Sequence, residues 1–468
     1  MNRHAAALYR VAPVWAQNLL LSGYGRLLER ERYGGRFEEY QTQLAASQWM
    51  SREEIDHYQD QRLRVVIAHA YEHVPFYRKR FDALRLKPAD IRTREDLQKL
   101  PLLTRDDVRH SFDELRSRAV TPRAAKTGHT SGTTGTPLTV AYDADTIWMT
   151  YAVFDRHYHW AGCRFGRDGD RVVAARGNVI VPLSQTAPPF WRYNTAQNQL
   201  MLSSFHMSAS SLGTYFDVMT EFRPTVVDGY PSTLYLMAKY LERHNRTFPM
   251  RAAFTSSETL YDFQRALIEE RFACRVFDYY ALAERTAFSG ECDRHEGHHL
   301  AEEYGVTEIV DSGGLPVPAG TVGRLVGTSL HNVAMPLIRY ATTDMTALKT
   351  TACSCGRALR LVDDVTTKAE DTLTLPDGRL IPPSVLTHPF KPLDCIDGSQ
   401  IVQTAPDNII VKLVAGAAYT EAHTKQLVAE LQARLGTNVR ITVERVDRLD
   451  SSANGKFKWV VSHVPLGL

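Results

Sequence analysis

The chain has 468 residues, 44% hydrophobic and 23% charged, the balance of a globular protein of at least two units. Lys+Arg 55 against Asp+Glu 53 leaves a net charge of +2, too even for a general nucleic-acid binder held by phosphate contacts. No run reaches the ~18 consecutive apolar residues of a membrane span, and six cysteines are too few for a disulfide scaffold.

Met1–Arg10 is weakly basic, and the apolar run Val11 to Tyr24 is broken by Pro13, Gln17, Asn18 and Ser22, so no signal peptide is expected. A reduced, cytoplasmic enzyme is the expectation. The first hundred residues read as helices, Glu53–Tyr71 among them, punctuated by Pro75, Pro88 and Pro101. Arg26–Arg36 reads as a solvated helix face. Asp143–Trp160 is helix-like. Then Arg171–Ala175, Thr225–Tyr230, Ala252–Thr255 and Arg275–Tyr280 read as strands. Pro231 and Ser232 open a helix through Glu242, and Tyr261–Phe272 reads as another. That alternation predicts a mostly parallel sheet covered by helices. Thr321–Thr346 is strand-rich, and Asp363–Thr374 reads as a linker. Ile409–Val414 (strand), Glu421–Leu435 (helix) and Val439–Val446 (strand) predict a small α+β unit. The expected architecture is α/β: a large domain over 1–368, with a helical lead-in over 1–100, and a small mobile domain over 371–468.

Four motifs carry chemistry. Thr130-Ser131-Gly132-Thr133-Thr134-Gly135-Thr136-Pro137 offers backbone amides and hydroxyls to a polyphosphate, or is a plain surface turn. It lacks Walker A spacing. Asp278-Tyr279-Tyr280-Ala281-Leu282-Ala283-Glu284 lies at the carboxyl end of a predicted strand, where α/β sheets bind ligands. An aromatic ring there can stack on a base, and a carboxylate can hold Mg²⁺. Ser256-Ser257-Glu258 falls on the same predicted edge. In Met335-Pro336-Leu337-Ile338-Arg339-Tyr340-Ala341-Thr342-Thr343-Asp344, the aspartate can accept ribose hydroxyls and the arginine can meet a phosphate; an internal ion pair is the alternative. Asn454-Gly455-Lys456 places a cation after a turn, either solvated or delivered to a site on the other domain.

In this order the four motifs resemble those of the adenylate-forming superfamily. The chain is most similar to the phenylacetate–CoA ligase family, in its capsular-polysaccharide-biosynthesis subgroup, from Val74-Pro75-Phe76-Tyr77 and Leu100-Pro101-Leu102-Leu103-Thr104 through Gly455-Lys456-Phe457. The resemblance implies that Ser131, Gly132, Thr133, Thr134, Gly135 and Thr136 cover the ATP phosphates, with Thr133 catalytic. It implies that Ser257 and Glu258 border the adenine, Tyr280 stacks on it, Glu284 holds Mg²⁺, and Asp344 takes the ribose. Arg339 joins the nucleotide set, and Lys456 reaches the carboxylate and α-phosphate. Leu138 stands where many superfamily members carry a lysine, and the hinge pattern is altered to Thr367-Lys368-Ala369-Glu370-Asp371.

Cys353-Ser354-Cys355 and Glu291-Cys292 with Gly297-His298-His299 supply thiolate and imidazole, the preferred donors of zinc. By resemblance the ligands are Cys292, His299, Cys353 and Cys355, with His298 one position off. Cys163, Cys274 and Cys395 are expected to be isolated and buried. His157, His159 and His206 are expected to be core or interface histidines.

The implied function is ATP-dependent activation of a small carboxylic acid, preferably aromatic, to an acyl-adenylate. Transfer to a thiol follows, either of CoA or of the phosphopantetheine of an acyl carrier protein. Amide formation and a non-catalytic zinc-bearing scaffold are the alternatives. Nucleic acid is not expected as a partner, and a homodimer is expected only by analogy.

Overall fold

The computed structural model describes residues 9–129, 138–365 and 373–464, apart from 382–385, 387, 391, 394, 448 and 450–458. The phosphate-loop motif at 130–137, the hinge pattern at 367–371 and Lys456 lie outside the described residues.

The lead-in is helical, as expected: α1 (Val14–Arg32), α2 (Phe37–Ser47), α3 (Arg52–His73) and α4 (Pro75–Ala83). Ser51 and Glu54 start α3 with a reciprocal capping box, and Pro75 occupies the first turn of α4, where no backbone N–H is required. A hairpin, β1 (Lys126–His129) with β2 (Thr139–Tyr142), brackets residues 130–137 in register Lys126↔Tyr142 to His129↔Thr139.

Helix α5 (Ala144–Trp160) leads into a nine-stranded sheet. Its strands are β3 (Val172–Ala175), β4 (Trp191–Asn194), β5 (Gln199–Leu202), β6 (Val226–Gly229), β7 (Ala252–Ser256), β8 (Arg275–Ala281), β9 (Phe288–Glu291), β10 (His298–Leu300) and β14 (Leu361–Val362). Their order is β14-β10-β9-β8-β7-β6-β3-β5-β4. The five strands from β5 to β8 run parallel; the outer ones are antiparallel additions. Helices α6 (Ala209–Phe222), α7 (Pro231–Arg243) and α8 (Asp262–Phe272) make the crossovers. Strands β3, β6 and β7 are buried at every residue, as parallel strands covered on both faces must be. A second, antiparallel sheet holds β11 (Gly305–Val310), β12 (Gly323–Ser329) and β13 (Tyr340–Thr346).

The C-terminal unit begins with a short pair, β15 (Leu373–Thr374) and β16 (Leu380–Ile381). It continues with β17 (Ile396–Ala405), β18 (Asn408–Ala415), helix α9 (Glu421–Leu435), β19 (Arg440–Arg445) and β20 (Val460–Ser462). The four-stranded order is β19-β18-β17-β20. Leu427, Leu431 and Leu435, spaced four apart on α9, enter its core with Trp459. The unit rests on Phe205, and Arg379 joins the Phe205 carbonyl (3.0 Å) to the last carbonyls of α9, at Arg434 (3.0 Å) and Leu435 (2.7 Å).

Helix α1 docks with its polar side inward. β4 is an edge strand with outward N–H groups to satisfy. Asn18 Oδ1 accepts from Tyr193 N, and Ser22 Oγ from Thr195 N, both at 3.0 Å. Gln17 accepts from the buried Arg192. At Gly25 a β-carbon would lie 2.5 Å from the Asn194 side chain, so a larger residue would have to push that side chain aside.

Candidate active site

The carboxyl ends of β3, β6, β7 and β8 form one rim, and among the described residues the Asp278–Glu284 and Met335–Asp344 motifs meet beside it. Tyr280, near the end of β8, donates its hydroxyl to Asp344 Oδ2 at 2.6 Å. Burial, with the Asp344 carboxylate beside it, holds that phenol protonated far above its ordinary range. Asp344 lies on β13, and its N–H donates to Thr342 Oγ1 at 3.1 Å. Two sheets thus deliver an aromatic ring and a carboxylate to the same place.

Four residues after Tyr280, Glu284 is 5% exposed, and its Oε1 accepts from Tyr340 OH at 2.7 Å. Arg105 lies 3.8 Å from the same oxygen. Arg285, next in the chain, places its guanidinium 4.3 Å from the ring of Tyr142 on β2. The same hairpin is tied to the third motif: Ala141 N lies 3.3 Å from Met335 Sδ, and Asn332 Nδ2 donates to the Ala141 carbonyl at 2.9 Å. The hairpin bracketing residues 130–137 is therefore anchored to both the Glu284 turn and the Met335–Tyr340 segment.

Left-handed backbone at non-glycine residues recurs at these motifs: Ser257 (φ 71°), Arg285 (φ 58°) and Arg339 (φ 55°). Such conformations cost on the order of 1–3 kcal/mol each and persist where surrounding contacts enforce them. Ser257 is exposed, and Glu258 accepts from Ser232 N at 3.1 Å, at the N-terminus of α7.

Arg339 departs from the nucleotide role. Its side chain is 3% exposed and pairs with Glu308 on β11 at 2.9 and 3.1 Å. It also donates to the carbonyls of Leu100 and Gly314, both at 2.7 Å. With four of the five guanidinium N–H donors engaged inside the protein, the geometry is the internal ion pair, with Glu308 as its partner.

Three groups on this rim carried no assigned role in the sequence reading: Arg176, Asp228 and Arg105. Arg176, just beyond β3, forms a bidentate pair with Asp228 on β6 and reaches Ser256 Oγ (3.1 Å) and Tyr279 OH (2.8 Å). Its position one residue past the predicted strand Arg171–Ala175 was the available signal.

A second cluster stands apart from the rim. Cys292 follows β9, His299 lies on β10, and Cys353 and Cys355 lie in the loop before β14. Their donor atoms all fall within 4.8 Å of one another; Cys292 Sγ is 3.6 Å from Cys353 Sγ, and Cys355 Sγ is 3.4 Å from His299 Nε2. His299 Nδ1 faces the Leu359 carbonyl at 3.4 Å, the arrangement that leaves Nε2 for a metal. Burial lowers the His299 pKa to about 4, keeping the ring neutral. Burial raises the Cys355 pKa, but backbone and side-chain contacts from Arg357 outweigh it, so the net shift is downward. His298 points away, 3.2 Å from Asp364. His157 sits in the core among Phe254, Tyr279 and Phe288. His206 is buried and stacked on Phe190, whereas His159 is exposed beside Asp155. Cys163 is buried, and Cys274 and Cys395 are half-buried.

Residues 373–463 match the model of the CapK C-terminal domain. Protein CapK of Staphylococcus aureus is 28% identical over 467 residues, covering 98% of this chain and 99% of its own. A phenylacetate-coenzyme A ligase of Thermus thermophilus is 27% identical over 368 residues, covering 74% and 77%. The chain is thus similar to CapK and to the phenylacetate–CoA ligases along most of its length. A crystal structure of 2-hydroxyisobutyryl-CoA ligase in its postadenylation state superposes with a TM-score of 0.55 at 21% identity, covering 88% of this chain and 90% of that one. The adenylate-forming layout of a large N-terminal domain and a small C-terminal one is thus the fold of this chain.

Proposed function

We propose that the protein activates a small carboxylic acid with ATP and passes the acyl group to a thiol. The carboxylate attacks the α-phosphorus and pyrophosphate leaves; the thiolate then attacks the acyl carbon and AMP leaves. The observation that carries this reading is the pair Tyr280–Asp344 beside the pair Tyr340–Glu284 on one sheet rim. A flat ring against a carboxylate suits adenine beside ribose. A second carboxylate, held by Tyr340 and faced by Arg105, suits a hard cation at the phosphates.

In this reading Asp344 accepts the ribose hydroxyls and Tyr280 fixes that carboxylate while stacking on the base. Ser257 and Glu258 form the adenine wall. Ser131 to Thr136 cover the β- and γ-phosphates, and Thr133 contacts the reacting end. Glu284 would hold Mg²⁺, whose charge supports the phosphates. Lys456 supplies a cation at the α-phosphate during the first half-reaction only. Arg339 belongs to the frame. The residues from 371 onward act as the mobile unit.

The four-donor Cys/His set fits a closed, structural zinc site, since every ligand comes from the protein. Relatives named phenylacetate-coenzyme A ligase support an aromatic acid and CoA as acceptor, and a carrier-protein phosphopantetheine offers the same thiol. The test is pyrophosphate exchange and hydroxamate trapping across aryl and aliphatic acids. Exchange that depends on an added acid supports the reading. A folded, ATP-binding protein that shows none with any acid would be a scaffold.

A further inference from the structure

The face that α1 turns to solvent is apolar. Trp15 (68% exposed), Leu19 (65%) and Leu27 (63%) stand out, with Leu20 and Tyr24 beside them, and Val11 (81%) lies just before the helix. This reverses the usual rule for a surface helix, whose apolar stripe faces the core. The reversal is built in, because the inward side is committed: Asn18, Ser22 and Gln17 satisfy the edge of the nine-stranded sheet. Rotating the helix to hide its leucines would strip those partners from β4.

Charge points to the occupant. No Asp or Glu precedes Glu29 in the chain, whereas Arg3, Arg10 and Arg26 do, and Arg30 follows one turn after Arg26. Arg10, Arg26 and Arg30 are all exposed on or beside the apolar face. Aliphatic residues between a Trp and a Tyr, flanked by arginines and with no acid before Glu29 and Glu31 in the last turns, where Glu31 is neutralised by Lys126 at 2.6 Å, fit the boundary between acyl chains and anionic headgroups. No helix among the described residues is long and apolar enough to cross a membrane, so the contact would be parallel to the surface.

We propose that α1 is a docking face for an anionic lipid surface, holding the enzyme at a membrane. The full-length protein is floated with vesicles of phosphatidylcholine, with and without phosphatidylglycerol. The wild type is expected to float with the anionic vesicles and to be released by salt. Trp15→Glu/Leu19→Glu/Leu27→Glu is expected to lower the bound fraction by about tenfold or more. Arg26→Glu/Arg30→Glu is expected to remove the preference for anionic lipid. Both variants should keep their melting temperature, because the substituted side chains are exposed. Absence of flotation, or equal flotation of the triple variant, overturns the proposal. So does a dimer in sedimentation velocity that the triple variant abolishes without any vesicle binding, since the face would then be covered by a second copy.

Discussion

Removing one oxygen atom, in Tyr280→Phe, separates the ring of Tyr280 from its hydrogen bond. The 2.6 Å contact to Asp344 lies in the short range of O–H bonds to a carboxylate. Hydrogen bonds to charged groups are worth about 1.5–3 kcal/mol net, so an Asp344 that has lost its donor should bind ribose less well by a comparable amount. The expected result is a fall in kcat/KM for ATP, measured by pyrophosphate exchange, of roughly 10- to 150-fold. Tyr280→Ala should lose about tenfold more, the stacking contribution. Repeating the measurement with 2′-deoxy-ATP tests whether the carboxylate meets the sugar. If it does, the losses from Tyr280→Phe and from the missing 2′-hydroxyl act through one group and combine to less than their product. Fully multiplicative losses, or an unimpaired Tyr280→Phe enzyme with a normal melting temperature, would refute the assignment of Asp344 to the ribose.

Glu284→Gln keeps an acceptor for Tyr340 but loses the charge, and should slow acyl-adenylate formation about 10²- to 10³-fold; near-normal exchange in the folded variant would remove Glu284 from the site. Lys456→Ala should abolish adenylation yet leave thiol transfer from supplied acyl-adenylate near wild type; an equal fall in both half-reactions would make the lysine structural. Protein purified without chelator should contain one zinc per chain by elemental analysis, and Cys353→Ser should lose both the metal and thermal stability. Burial lowers the His157 pKa to about 3 from an ordinary 6.5. The unfolded chain therefore takes up this proton first as pH falls. The neutral ring's contribution is present above pH 6.5 and declines toward pH 3, on the order of 5 kcal/mol in total. His157→Phe should flatten that part of the stability profile in denaturant titrations, and an unchanged slope would place the proton uptake elsewhere.

Much of the large domain was legible because its signals are local. Thr225–Tyr230, Pro231 and Ala252–Thr255 gave a strand, a helix start and a strand that the structure reproduces at Val226–Gly229, Pro231–Arg243 and Ala252–Ser256. Helix Glu421–Leu435 agrees end to end. The Cys/His set, whose donor atoms the structure gathers, was legible only through the family resemblance. What stayed hidden depends on partners distant in sequence. Arg339 finds Glu308 on a strand 31 residues earlier, and no local pattern distinguishes that from a ligand-binding arginine. The long strand Ile396–Ala405 was not predicted; it forms where β18 and β20 pair with it on either side. The orientation of α1 was hidden too: hydrophobic periodicity marks a helix, but only the edge of β4 shows which side faces in.

The ladder between β10 and β14 reaches beyond His299, the member of the Cys/His cluster that it carries. His299 is registered against Leu361 and His298 against Val362. The next two residues are tethered in turn, Asp363 to Lys349 and Asp364 to His298, each at 3.2 Å. The large domain therefore clamps its outgoing chain at four consecutive positions. If the C-terminal unit reorients as proposed, the movement is taken up beyond Asp364, one strand away from the Cys/His cluster.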